Sequence, residues 1–107
     1  MFVKNSDVKA TPCGEGVERK ILGMGGSLMM VEVSFKAGGI GAAHTHPHEQ
    51  ISYLAKGKME FELEGERRIV CEGDSIYIPS GANHGTVALE DSIIVDIFSP
   101  IREDFLK

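Results

Sequence analysis

The chain has 107 residues, a length that fits one folded domain with its own core. Its net charge of −5 and its lack of a basic stripe argue against nucleic acid as a partner, because the phosphate backbone would repel it. No run of about 18 apolar residues and no leader-like segment occurs, so the sequence predicts neither membrane insertion nor secretion, and we expect a cytoplasmic protein.

Composition and periodicity favour an all-β domain over the whole range 1–107. The 13 glycines exceed the average usage of about 7% and predict many tight turns between short strands. Residues 1–16 show no sustained period and are predicted to be an N-terminal arm of the kind that often packs on a neighbouring subunit. Residues 17–99 are predicted to form a barrel, and residues 100–107 a short helical or irregular tail.

Short strands are predicted at a spacing of about ten residues along this barrel. A Gly-Met-Gly-Gly turn is predicted at residues 23–26, and a hairpin turn around Gly65. Cys13 is expected in a loop and Cys71 as a small buried residue, and no cysteine pair supports a thiolate metal site. Short strands without a long helical period predict an antiparallel barrel or jelly roll. The predicted strands are residues 17–22, 28–35, 50–56, 58–64, 67–71, 75–78 and 92–99.

The histidines are unevenly distributed. Three of the four lie in HTHPH, residues 44–48, and the fourth, His84, follows a Pro-x-Gly turn. Residues two apart in a strand point the same way about 6.5 Å apart, close enough for His44 and His46 to bind one ion at about 2.0 to 2.1 Å each. Gln50 and His84 are predicted to supply the third and fourth ligands from neighbouring strands.

Other interpretations of the same segment remain open. Glu49 is a rival ligand, although its parity in a regular strand places it on the face opposite His46. His48 has the right parity but is expected in the bend before the strand. The segment HTHPH would also be compatible with a polar loop whose histidines are simply hydrogen-bonded.

The residues fit both conserved motifs of the cupin family, so the sequence resembles a single-domain cupin. This resemblance implies an antiparallel β-barrel or jelly roll with one metal site. The asparagine that often follows the second motif is absent, because Ala88 holds its place. The first motif is matched by Gly38, His44, His46, Gln50 and Gly57, and the second by Gly73, Asp74, Pro79, Gly81 and His84.

The donor set departs from most cupins at one position. Gln50 stands where a glutamate is usual, and an amide binds a metal only through its neutral carbonyl oxygen. The site therefore supplies one less negative charge to the ion, which is more electrophilic as a result. Three nitrogens and one oxygen suit a divalent transition metal: zinc, nickel, iron, manganese or copper.

Within the cupins, three segments resemble the KdgF-type proteins of pectin and alginate breakdown. They are HTHPHEQISY, ALEDS and the ending DIFSPIREDFL. Proteins of that type open the ring of 4,5-unsaturated monouronates to the linear 5-keto-4-deoxyuronate. The resemblance implies an enzyme of the isomerase or hydro-lyase kind, with Asp96, Phe98 and Arg102 lining the pocket beside the metal.

These three residues have functional and structural interpretations. Asp96 is a candidate general acid or base if the pocket raises its pKa. Arg102 is a candidate for a forked hydrogen bond to the substrate carboxylate, and Phe98 for shaping the pocket. Alternatively, Asp96 accepts hydrogen bonds from a turn, Phe98 is core, and Arg102 pairs with Glu103 or Asp104 at the surface.

Two other functions compete with ring opening. A metal-dependent dioxygenase would use the same histidines to hold iron. A non-catalytic sugar or ligand binder would need a partner chain, since no helix-turn-helix is present. In each case we expect a small carboxylated sugar or similar ligand, and a homodimer as the assembly.

Overall fold

The computed structural model describes residues 1–107 as two antiparallel sheets packed face to face, which confirms the predicted jelly roll. One sheet has six strands in the order β1-β2-β3-β10-β5-β8, and the other has four in the order β4-β9-β6-β7. Single turns of 3-10 helix lie at Asn5–Asp7 and Glu103–Leu106. The strands are β1 Thr11–Gly14, β2 Val17–Gly25, β3 Leu28–Phe35, β4 Ile40–His44, β5 Glu49–Lys56, β6 Lys58–Leu63, β7 Glu66–Cys71, β8 Ser75–Ile78, β9 His84–Ala88 and β10 Ser92–Ser99.

The core lies between the sheets because alternate residues of each strand point inward. On β5, for example, the residues alternate between exposed and buried from Glu49 onward. Leu54, Met59 and Ile78 have no exposed surface, and each contributes about 1.5 to 3 kcal/mol by burial. These apolar contacts hold the two sheets together.

The sequence prediction missed three short strands and misplaced one turn. Strands β1, β4 and β9 contain proline, glycine or histidine and show no clear alternation. Strand β2 continues through Gly25, so the turn predicted at residues 23–26 is wrong, and the chain turns at Gly26 instead. A bulge in the pairing of β2 with β3, between Ile21 and Met24, accommodates the extra residue.

The two cysteine predictions are also wrong. Cys13 lies in β1, and both Cys13 and Cys71 are exposed. Cys71 ends β7 on an outward position, next to the inward Val70, so its side chain lies outside the core. Segment 11–14, which belongs to the predicted arm, pairs with β2 of its own sheet.

Two turns set the positions of the strands that matter for the site. Glu64 and Gly65 both have positive φ, 48° and 82°, which confirms the predicted hairpin between β6 and β7. Gly57, with φ 97°, passes the chain from β5 in one sheet to β6 in the other, and a Cβ there would collide with Ser92.

The chain contains no helix of the length and hydrophobicity needed to cross a bilayer.

Candidate metal centre

Two strand ends and the segment between β4 and β5 bring three histidines to one end of the barrel. His44 is the last residue of β4, His84 is the first of β9, and the two are paired in register. His46 lies in the segment between β4 and β5, so the prediction that His44 and His46 share one strand is wrong. Pro47, which has no N–H for a sheet ladder, follows in a bend, and the chain turns there.

The three imidazoles nevertheless converge. Ligand atoms of His44, His46 and His84 lie within 4.8 Å of one another. The ring centroids are 4.5 Å apart for His44 and His84, 4.9 Å for His46 and His84, and 5.4 Å for His44 and His46. Because imidazole nitrogens bind transition metals at about 2.0 to 2.1 Å, a cluster of this size can hold one metal ion.

Backbone hydrogen bonds fix which nitrogen of each ring is free. In every case Nδ1 faces a backbone carbonyl, which only accepts, so Nδ1 carries the hydrogen. Nε2 of each ring is therefore the nitrogen left to bind a metal, as in metal-binding histidines. The Nδ1 to oxygen distances are 2.9 Å from His44 to Ala42, 3.1 Å from His46 to His48 and 3.0 Å from His84 to Ala82.

Gln50 completes the donor set from the start of β5. Its Oε1 lies 2.9 Å from Nε2 of His46, while its amide nitrogen donates to Oγ of Ser52 at 2.9 Å. With Nδ1 of His46 protonated, both Nε2 and Oε1 are acceptors whose lone pairs meet. Two acceptors facing each other at this distance are stabilised by a cation beside them. The residues present therefore fit a metal ion.

Burial keeps the ligand histidines in the form that binds metal. Desolvation lowers the pKa of His46 and of His84 below the ordinary value, and this effect outweighs the hydrogen bonds that raise it. Both rings are thus neutral at pH 7. Neutral imidazole is the form that binds a metal ion without first releasing a proton.

The two rival ligands lie outside the cluster. Glu49 is exposed on the outer side of β5, where its carboxylate accepts a hydrogen bond from the hydroxyl of Tyr77. His48 donates from Nε2 to the backbone oxygen of Ile101 at 3.2 Å, and its buried Nδ1 has no partner. His48 therefore ties the tail of the chain to the barrel.

Asp96 points from β10 into the same end of the barrel. Its Oδ1 accepts a hydrogen bond of 2.6 Å from the hydroxyl of Ser52, so its partner is a strand residue and not a turn. Desolvation of the partly buried carboxyl group raises the pKa of Asp96 to about 6, although the hydrogen bonds from Ser52 and Gln50 oppose the shift. A carboxyl group with such a pKa can both hold and release a proton near neutral pH.

Arg102 closes the cavity from the tail. It is only 8% exposed, and its Nε and Nη2 donate to the two carboxylate oxygens of Asp104 at 3.0 and 2.8 Å. The pairing with Asp104 is one of the alternatives raised from the sequence, but the guanidinium is buried instead of lying at the surface. It lies 5.1 Å from the ring centre of Phe98 and 4.2 Å from that of Phe105.

The predicted pocket residues and two of the three clustered histidines, His44 and His84, line one cavity of about 110 Å³. Phe98 is 2% exposed, and its ring lies edge-on to His46 at 5.6 Å, so it belongs to both core and cavity wall. Sequence reasoning missed Ser52, whose even spacing from Gln50 was the available signal. Residues around the cavity include His44, Gln50, His84, Asp96, Phe98, Arg102 and Phe105.

Known proteins resemble this chain in sequence and in fold. The cupin domain family matches residues 31–98, more than half of the chain. The pectin degradation protein KdgF of Dickeya dadantii is 46% identical over 95 residues, which cover 87% of this chain and 86% of that protein.

Two solved structures extend the similarity over almost the whole chain. KdgF from Halomonas sp. has a TM-score of 0.94 and 41% identity, and the match covers 98% of this chain and 97% of that one. An RmlC-like cupin from Shewanella frigidimarina has a TM-score of 0.94 and 35% identity, covering 97% and 94%. The chain belongs to the cupin family, and within that family it is similar to the KdgF proteins.

Proposed function

We propose that this protein is a metal-dependent enzyme of uronate catabolism that opens 4,5-unsaturated monouronates to the linear 5-keto-4-deoxyuronate. The observation that carries the proposal is a cluster of three imidazoles and an amide oxygen beside a cavity that is lined by a partly buried carboxyl group, Asp96, and a buried guanidinium, Arg102. Similarity to a protein named for pectin degradation supports a uronate as substrate.

The reaction is an isomerisation that needs no oxidant. The hemiacetal hydroxyl on C1 loses its proton, the bond between C1 and the ring oxygen breaks, and C1 becomes an aldehyde. The former ring oxygen keeps the electron pair of that bond, takes up a proton and becomes the hydroxyl of an enol at C5. Protonation at C4 and loss of the enol proton give the C5 ketone, so atoms and electrons balance. The protein must therefore move protons and stabilise charge on oxygen.

His44, His46, Gln50 and His84 would hold the metal. A divalent ion bound there supplies Lewis acidity towards substrate oxygens, and the neutral amide preserves more of its charge than a carboxylate would. The backbone hydrogen bonds at Nδ1 hold the imidazoles in the orientation that presents Nε2. Zinc, nickel, iron, manganese and copper all suit this donor set.

Asp96 is proposed as the group that transfers the proton. It is the carboxyl group that lines the cavity, and its pKa of about 6 allows it to accept the hydroxyl proton and to return a proton to carbon. The hydrogen bond from Ser52 holds one of its oxygens in place. The other oxygen is left for the substrate.

Arg102 and Phe98 are proposed to bind and enclose the substrate. The contacts with Asp104 use Nε and Nη2 of Arg102, which leaves Nη1 for the uronate carboxylate. Phe98 lies between the guanidinium and the ring of His46, where its side chain excludes water from the reacting atoms. Burial of Arg102 strengthens its attraction for a carboxylate.

The test is an assay on 4,5-unsaturated galacturonate under anaerobic conditions. The expected result is loss of the absorbance of the conjugated double bond, abolished by a chelator and restored by one of the five metals. Elemental analysis of the purified protein identifies that metal. Turnover that requires dioxygen would instead assign a dioxygenase, and tight uronate binding without turnover would assign a ligand-binding protein.

A further inference from the structure

The C-terminal tail supplies one wall of the cavity. Phe105 lies in the 3-10 turn Glu103–Leu106, is partly buried, and lines the cavity together with Arg102. Its ring meets that of Phe98 on β10 edge-on, with the ring centres 5.8 Å apart. The tail therefore places an aromatic ring beside the side chains of the proposed reaction.

Two guanidinium groups lie over the ring of Phe105. The central carbon of the Arg102 guanidinium, Cζ, is 4.2 Å from the ring centre, and Cζ of Arg19 is 3.9 Å from it. Both distances are well inside the limit of about 6 Å within which an aromatic face attracts a cation. Phe105 therefore connects the arginine of the cavity to a second arginine on strand β2.

Arg19 has no role in the proposed mechanism. It is paired in register with Val33, which lines the cavity, so its side chain lies on the inner face of the six-stranded sheet. Arg19 is partly buried and makes no ion pair with a carboxylate. Because a partly desolvated cation is stabilised by a compensating contact, the ring of Phe105 accounts for an arginine at this inner position.

Two contacts restrict the direction of the Arg102 guanidinium. Asp104 accepts hydrogen bonds from Nε and Nη2, which form one edge of the planar group. The ring of Phe105 lies against the central carbon of the same group. A guanidinium held at one edge and packed on a ring cannot turn freely, and Nη1 is the group left to meet an incoming carboxylate.

We propose that Phe105, itself held by Arg19, is a positioning residue that orients Arg102 towards the substrate carboxylate. This inference rests on the proposed function. Phe105 acts through Arg102, and Arg19, which does not line the cavity, acts through Phe105. A side chain that is ordered before the substrate arrives loses less entropy on binding. The effect therefore falls on KM for the uronate and not on metal binding.

Steady-state kinetics on 4,5-unsaturated galacturonate test the role of the ring. Phe105→Leu keeps an apolar side chain but removes the aromatic face, and we expect KM to rise about 5-fold to 30-fold, the range for contact with a buried cation. The kcat and the metal affinity should stay at the wild-type level. Phe105→Tyr keeps the ring and should restore the wild-type KM. Leu106→Ala is the matched control, since Leu106 lies in the same turn and is 48% exposed.

Variants of Arg19 test whether its effect passes through the ring. Arg19→Ala should raise KM about 2-fold to 5-fold in the wild type, as expected for a more exposed cation, and should add nothing in Phe105→Leu. Arg68→Ala removes an exposed arginine from the four-stranded sheet, controls for the lost charge, and should leave KM unchanged. An equal rise of KM on adding Arg19→Ala to either background would contradict the link, because Arg19 would then attract the substrate by charge alone.

A measurement without substrate reports on the contact itself. In the zinc-loaded protein, the proton–nitrogen NMR signal of the Arg102 Nε–H group is identified by its absence in Arg102→Lys. The nearby ring shifts this signal, so we expect Phe105→Leu to move it towards the position of an exposed arginine such as Arg68. Leu106→Ala should leave it in place.

The outcomes separate this inference from the proposed function. A wild type without turnover would remove the proposed function and, with it, the carboxylate as the ligand of Arg102. A wild type that turns over, with KM unchanged in Phe105→Leu or with the Arg102 signal unmoved, would remove only the positioning role. Equal rises of KM in Phe105→Leu and Leu106→Ala, or loss of bound metal in Phe105→Leu, would show a general loosening of the tail and would also overturn it.

Discussion

The inward side chains of β5 change from polar to apolar within three rungs of its pairing with β10. At one end Gln50 pairs with Phe98, the next rung pairs Ser52 with Asp96, and the third pairs Leu54 with Ile94. The last pair belongs to the large apolar cluster, in which Leu54 has no exposed surface. Strands β5 and β10 therefore contribute residues both to the polar end of the interior, where the histidines lie, and to its apolar end.

The difference shows how the chain separates stability from chemistry. The apolar end gains free energy from burial of side chains with no hydrogen-bonding needs. At the polar end, by contrast, each buried group requires a partner, and the bonds linking Gln50, Ser52 and Asp96 supply it only in part. Substitutions at the two ends should therefore affect different measurements.

The largest expected effect is loss of a metal ligand at the polar end. His84→Ala removes one of three imidazoles, so metal affinity should collapse and kcat/KM should fall on the order of 10³-fold or more, about 4 kcal/mol of transition-state stabilisation. The matched control is His48→Ala, which lies outside the cluster. Elemental analysis and the uronate assay measure the two effects, and a similar loss of bound metal in His48→Ala would contradict the assigned ligand set.

At the apolar end the expected effect falls on stability alone. Leu54→Ala leaves a cavity beside Met59 and Ile78 and should lower the free energy of unfolding by about 2 to 5 kcal/mol. Metal affinity of the folded protein should stay within a few-fold of wild type. Urea unfolding and chelator competition measure the two quantities. A large loss of metal affinity would show that the two ends are coupled.

Asp96 should lower stability at neutral pH. The pKa of its carboxyl group is about 6 in the folded protein but 3.8 when the group is exposed in the unfolded chain. The contribution of the protonated group to stability is therefore present below pH 3.8 and is lost as the pH rises through about 6. The difference is about 3 kcal/mol at pH 7.5. Asparagine, neutral at every pH, does not carry this cost.

We therefore expect Asp96→Asn to be more stable than wild type above pH 7, by up to about 3 kcal/mol, and nearly equal near pH 4. Activity should fall about 10²-fold to 10⁴-fold, the usual contribution of a proton-transfer group. Urea unfolding of chelator-treated protein at several pH values measures the stability difference. A difference that does not vary with pH would contradict a raised pKa for this carboxyl group, and undiminished activity would remove the proton-transfer role.

The sequence predicted the apolar end and the outline of the polar end for different reasons. Alternation identified strands such as β3 and β10, and two-residue hairpin chemistry located the turn at Gly65. Strand β9 was missed, because its Gly85 and Thr86 interrupt the alternation and its pairing depends on distant residues. Donor residues for the metal were predicted from motif spacing, although His46 reaches the cluster from a bend.

The pairing of Arg102 with Asp104 was one of the alternatives raised from the sequence, but the burial of Arg102 could not be predicted from local pattern. The position of Asp104 against Arg102 depends on the 3-10 turn at Glu103–Leu106 and on packing of Phe105. Ser52 on its strand has the pattern of a small core residue, since only the fold brings Asp96 across from it. Long-range geometry therefore decided which polar residues became partners.

The smallest effect is expected when Arg102, which lines the cavity, is replaced by another positively charged residue. Arg102→Lys keeps the charge but loses the planar fork, so one ammonium must serve both Asp104 and the substrate carboxylate. We expect KM for the uronate to rise about 10-fold to 100-fold, roughly 1.4 to 2.7 kcal/mol, with metal affinity unchanged. Steady-state kinetics measure the change against Arg67→Lys, an exposed arginine on the four-stranded sheet. An unchanged KM in Arg102→Lys would show that Arg102 serves only to fix the tail through Asp104, and the carboxylate would then have to bind elsewhere in the cavity.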